Sequence, residues 1–181
     1  MRVAPGAALP AGRGTEATHC QAGTSARLVE GQIAETAGPA DGQDPIAHHL
    51  QVIADKTGSL IATSARLGAL IAGAAPAHID TVARFGELYG VAFQLSDDLI
   101  DIASETDESG KTPGTDLREG IRTLPVLHVL DSDDPADAPL QALLTGDLSD
   151  DAALEDALGQ LRAHPAMVRA QQTLIEQVDR A

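Results

Sequence analysis

Asp97, Asp98 and Asp101 stand together in the string DDLID. On a helix, residues three and four apart share a face, and four residues span about 6 Å of rise. The three carboxylates would therefore lie along one flank. Like charges at these spacings cost an isolated helix about 0.2–0.5 kcal/mol per pair. Two arrangements relieve that cost. The acids can face water, or they can close on a hard divalent cation. Mg2+ takes oxygen ligands, commonly one or two carboxylates with waters and substrate phosphates completing the shell. In a chain with 27 acidic residues, spacing alone does not choose between the two. The following segment, Ala103 to Thr115, reads ASETDESGKTPGT. Its small and polar residues, with Gly110, Pro113 and Gly114, predict a loop. Lys111 in that loop is a point charge suited to phosphate. Carboxylates holding a metal beside such a loop would clamp a diphosphate.

The element that must carry the acids is a long helix over 77–103. Projected at 100° per residue, Leu88, Val91, Ala92, Leu99 and Ile102 gather around Leu95, with Phe85 on the flank of this apolar stripe. Gln94, Asp97, Asp98 and Asp101 occupy another sector. Gly86 and Gly90 lie on nearly the same face as the acids and predict a groove leading to them. Ala and Leu, strong helix formers, dominate from Arg27 onward, and no stretch sustains the period-two alternation of strands. Helices are expected at 27–37, 45–55, 57–73, 77–103, 116–130, 136–144, 149–163 and 165–179. Pro45, Pro76, Pro135 and Pro165 fall at or near starts, where a missing N–H costs little. Gly38 and Gly73 fall near ends, and Thr115 or Asp116 is the expected cap of the helix after the loop. Residues 1–26 differ: 17 of the 26 are Ala, Gly, Pro, Ser or Thr. Without apolar periodicity they read as a disordered leader. Their GxGxxA match at Gly12, Gly14 and Ala17 lacks the preceding strand of a dinucleotide site.

Composition excludes several functions. The 181 residues suit one domain, and 43 % are hydrophobic, enough for a core. Aromatic residues make up 2 %, with no Trp, so bases have little to stack on. The net charge of −15 disfavours nucleic acid and anionic membranes. A membrane span needs roughly 20 apolar residues, and the best run, Leu60 to Ala75, is broken by Thr63, Ser64 and Arg66. Cys20 is the single cysteine, with no base partner in view, so a disulfide framework is excluded. A reducing, cytoplasmic setting is the expectation. Between Thr123 and Leu161 there are nine acids and no Lys or Arg. This stretch lacks the DxDxDG core of a calcium loop and reads as solvated surface. His48 and His49, being adjacent, fall on different helix faces and are poor joint metal ligands.

Phe93 to Leu127, FQLSDDLIDIASETDESGKTPGTDLREGIRTLPVL, resembles the second aspartate-rich region of trans-type polyprenyl diphosphate synthases. Upstream, Asp55-Lys56-Thr57-Gly58-Ser59-Leu60 is similar to that family's lysine-threonine motif. Leu28-Val29-Glu30-Gly31-Gln32 is similar to its Glu-Gly segment. The resemblance is strong over Arg27 to Leu130 and weak in the helical tail. It implies an all-α chain, part of the isoprenoid synthase helical bundle, with residues 27–181 as its C-terminal part. It implies a prenyltransferase that condenses isopentenyl diphosphate with an allylic diphosphate.

Site residues follow from the resemblance position by position. Asp97 and Asp98 would hold Mg2+ on the allylic diphosphate, with Asp101 completing the motif. Lys56 and Lys111 would contact that diphosphate. Thr57 and Gln94 would line the place where the allylic carbocation forms. Family members are longer chains with a first aspartate-rich motif in the N-terminal half, and no second DDxxD precedes Glu30 here. A lysine common near Ile121 in the family is absent, so either Arg122 substitutes for it or that contact is lost. The expectation is therefore a chain without the N-terminal half of a synthase, weak or inactive alone, acting as a homodimer or beside a complementary chain. The alternative is a noncatalytic helical subunit that pairs with another synthase chain.

Overall fold

The computed structural model describes residues 11–104 and 113–181. Among them the protein is built of helices with no strand. In order these are α1 (Ala11–Ala37), α2 (Pro45–Ile53), α3 (Ser59–Ala72), α4 (Pro76–Ala103), α5 (Thr115–Arg118), α6 (Leu124–Leu130), α7 (Ala138–Leu144), α8 (Asp151–Ala163) and α9 (Pro165–Arg180). A π-turn over Ala54–Gly58 joins α2 to α3 without a loop, and a 3-10 turn, Pro135–Asp137, leads into α7. No helix of the described residues is long and apolar enough to cross a membrane.

Helix starts follow local chemistry. Pro45, Pro76, Pro125 and Pro165 all lie in first turns. Asp44 accepts from the Ile46 amide at 2.9 Å and caps α2. Acids of the 123–161 stretch do similar work: Asp134 accepts from Ala136 N, and Asp150 accepts from Ala153 N to start α8. Asp147 accepts from Ser149 N, and that backbone hydrogen bond lowers its pKa. Gly38 and Gly73 close α1 and α3 with φ of +73° and +80°, where a side chain would be strained.

α4 is the axis of the fold. One face buries Leu95, Leu99 and Ile102 against Leu117, Leu124, Val129, Leu158, Leu161 and Met167, the centre of the hydrophobic core. Its end is pinned by Arg162 of α8, which donates to Ile102 O and Ser104 O, each at 2.7 Å. The acid-bearing turn is thus held from a helix some sixty residues later in the chain.

Three sequence expectations change. Residues 11–26, read as disordered, belong to α1. Large apolar residues are scarce there, but the Thr24 and Thr63 hydroxyls hydrogen-bond across to α3. Arg27 then reaches Asp55 Oδ1 at 2.9 Å and Glu87 Oε1 at 2.7 Å, tying α1 to the π-turn and α4. Small residues allow this approach: a Cβ on Gly31 would lie 3.0 Å from Asp55 Cβ and from Lys56 Cγ. The single helix expected over 116–130 is two, α5 and α6. The break falls at Gly120, whose φ is +75°, ahead of Pro125. The glycine groove on α4 is filled by backbone. A Cβ on Gly86 would meet Ala62 Cα at 3.0 Å, and one on Gly90 would meet Gly58 Cα at 2.7 Å. The glycines set a close crossing of α4 with the π-turn and α3, not a path for a ligand.

Candidate active site

The π-turn and α4 bring Thr57, Gln94 and Asp98 into one hydrogen-bonded chain. Ser59 N donates to Ala54 O, a bond to the fifth residue back that defines the π geometry. The surplus residue bulges out of regular winding, an arrangement that recurs at functional sites. Here the bulge contains Lys56 and Thr57. Thr57 Oγ1 donates to Gln94 Oε1 at 2.9 Å, and Gln94 Nε2 donates to Asp98 Oδ1 at 2.9 Å. The Gly58–Gly90 contact holds the two helices close enough for this bridge.

The carboxylates have distinct settings. Asp98 is 4 % exposed, so its oxygens need hydrogen-bond partners from the protein or a ligand. Asp97 is exposed. Asp101 Oδ1 and Oδ2 face the Thr115 and Asp116 amides at 3.3 and 3.2 Å, so the third acid caps α5 from another helix. The cap expected from Thr115 or Asp116 is thus supplied by Asp101, with Gly114 at φ +75° making the turn. Asp116 completes the cluster. Burial, then repulsion from Asp101, Asp98 and Asp97, pushes its pKa up to about 6. Four acids therefore crowd one locus. Among the described residues, no three His, Cys, Asp or Glu side chains already converge as a ready metal cage.

His49 of α2 completes the surroundings. Its Nε2 is buried without a hydrogen-bond partner and lies 3.8 Å from Asp98 Oδ2. His48 turns the other way, with Nε2 3.1 Å from Ala34 O on α1. The two histidines do occupy different faces, but nothing in the sequence signals the approach of His49 to Asp98. His49 and Thr57 are eight residues apart, and the π-turn absorbs one of them, so the two fall about two turns apart on one side. Only knowledge of the π-turn reveals that phase.

Lys56 Nζ pairs with Glu35 Oε2 at 2.5 Å. Glu35, His49, Ile121 and Arg122 border a cleft of about 710 Å3 between the end of α1, α2 and the turn before α6. The structure thus gathers Thr57, Gln94, Asp98 and Asp101 at the α4 end and places Arg122 at the neighbouring cleft. Lys111 lies outside the described residues. Beside the acids, Phe85, Tyr89 and Phe93 form a stacked row along α4, centroids 6.0 and 6.5 Å apart, each about half exposed. At four-residue steps this row runs on to Asp97 and Asp101.

Residues 7–161 match the polyprenyl synthetase family. The chain belongs to that family. The match extends beyond Arg27 to Leu130 in both directions and takes in most of α1. A nonaprenyl diphosphate synthase of Mycobacterium tuberculosis is 47 % identical over 174 residues, 96 % of this chain and 52 % of the relative. A dimethylallyltranstransferase of the same organism is 43 % identical over 145 residues, 80 % of this chain and 43 % of that protein. Among solved structures, a geranylgeranyl pyrophosphate synthase of Corynebacterium glutamicum superposes with a TM-score of 0.81 at 46 % identity. That match covers 91 % of this chain and 51 % of the other, which was crystallised with calcium and isoprenyl diphosphate. The chain therefore has the isoprenoid synthase helical fold of this family and spans about half the length of the curated relatives it matches.

Proposed function

We propose that this chain provides the second-aspartate side of a prenyl-transfer site, in which an allylic diphosphate is condensed with isopentenyl diphosphate. The observation that carries this reading is the chain Thr57–Gln94–Asp98, which couples the lysine-threonine motif to the aspartate motif. Family membership and the Corynebacterium relative crystallised with calcium and isoprenyl diphosphate support it.

The donor chemistry fits a hard cation. All the donors are carboxylate oxygens, and Mg2+ commonly takes only one or two of them beside water and phosphate. A ready three-residue cage is not required. Burial raises the Asp116 pKa first, and the repulsion from neighbouring acids that adds to it is the crowding a cation would offset. Asp97 and Asp98 would hold the ion, with Asp101 fixing the turn beside them. When bound, Mg2+ supplies positive charge to a departing diphosphate.

The chain's own residues do the rest. Gln94 holds Asp98 in orientation and presents, with Thr57, a polar wall to the reacting carbon. Lys56, Lys111 and Arg122 bind diphosphate oxygens, Lys56 exchanging its present partner Glu35 for the ligand.

Calorimetric titration with dimethylallyl diphosphate tests this reading. Binding is expected in Mg2+ and is expected to vanish when EDTA replaces the metal. Equal binding in both buffers, or none in either, overturns it.

The same reading predicts how this polypeptide behaves alone. Transition-state charge is stabilised best where water is excluded, yet Phe85, Tyr89 and Phe93 lie half exposed in the row that leads along α4 to Asp97. Covering that row calls for a second copy or a complementary chain. We expect self-association in sedimentation and low turnover by the isolated 181-residue polypeptide. A compact monomer with the turnover of a full-length synthase would refute this.

A further inference from the structure

His49 occupies a place that packing alone does not explain. Its side chain is 14 % exposed, and Nε2 is buried with no hydrogen-bond partner. That nitrogen sits 3.8 Å from Asp98 Oδ2, beyond hydrogen-bond reach. Asp98 Oδ1 is already engaged by Gln94 Nε2. The carboxylate thus has one oxygen fixed from its own helix and the other facing an unused imidazole from α2. His49 also borders the cleft lined by Glu35 and Arg122.

We propose that His49 is a positioning residue for Asp98. With a ligand bound, Nε2–H closes on Oδ2 and fixes the plane of the carboxylate, as Gln94 fixes the other oxygen. The imidazole acts as a donor through Nε2–H. It touches neither the metal nor the substrate. The inference rests on the proposed metal–diphosphate site and adds the group that aims its most buried ligand.

The test uses the full chain and titrates inorganic pyrophosphate in Mg2+, with melting temperatures measured alongside. His49→Leu keeps the bulk and loses the donor. Loss of an outer-shell partner typically costs 10–100-fold in metal affinity, so a weakening of about 10-fold or more is expected. His49→Gln restores a donor and should bind close to wild type at a similar melting temperature. If the leucine variant melts early, His49→Met provides the same readout with a more adaptable side chain. Wild-type affinity in both donor-less variants, or equal weakening in His49→Gln and His49→Leu, overturns the inference while Asp98→Ala still loses binding. If Asp98→Ala binds as wild type does, the site reading and this inference fall together.

Discussion

Asp98→Ala is expected to abolish Mg2+-dependent capture of an allylic diphosphate without unfolding the chain. Asp98 is the buried member of the acid set and the end of the Thr57–Gln94 bridge. Losing it removes a ligand and also releases the amide that orients it. Since an outer-shell partner alone is worth about 10–100-fold, the affinity loss should exceed about 100-fold. Stability should move the other way or not at all. Burial raises the Asp116 pKa most, and Asp98 is one of four acids that add repulsion to it, so removing Asp98 relieves repulsion in the folded state. The cost is the half-buried amide of Gln94, left with one fewer acceptor. Calorimetry and thermal melting on one sample separate these effects. Unchanged affinity would sink the assignment, and wholesale unfolding would show Asp98 to be structural.

Gly90→Leu should be the most damaging single change to the fold. A Cβ there would lie 2.7 Å from Gly58 Cα, and the obstructing atom is backbone, so no side chain can rotate away. Overpacking a core costs about 1–3 kcal/mol and sometimes more. Here two helices must part, so a loss of at least about 3 kcal/mol is expected. Separation would also pull Thr57 from Gln94, coupling the stability defect to the site. Gly68 is the control. Nothing lies within 4 Å of its Cβ position, so Gly68→Ala should gain about 0.5–1 kcal/mol from helix propensity. Urea titration reads both variants. Similar midpoints for Gly90→Leu and wild type would show that the crossing opens without cost.

Much of this was legible in the sequence because it depends on periodicity. The apolar stripe around Leu95 is the face that α4 buries, and the prolines mark helix starts as their missing N–H requires. What stayed hidden depends on partners distant in the chain. α1 extends to Ala11 because Thr24 and Arg27 find Thr63, Asp55 and Glu87, none of them a local signal. Gly86 and Gly90 announce a small-residue face, but the sequence does not say whether backbone or ligand fills it. The aspartate motif identifies a cluster of acids, yet both Asp101 oxygens face backbone amides of α5, and the sequence gives no hint of that. The approach of His49 to Asp98 has no sequence signal because its phase relative to Thr57 is correct only across the π-turn.

The π-turn also sets a rule of length. From Pro45 to Ala72 the chain contains one residue more than uninterrupted α winding would use. A deletion within 54–58 would leave both flanks in phase with their neighbours. The same deletion elsewhere in the span would turn everything downstream by about 100°. Thr57 owes its aim at Gln94 to that spare residue, so a shortened turn would wind more regularly and leave the threonine facing elsewhere.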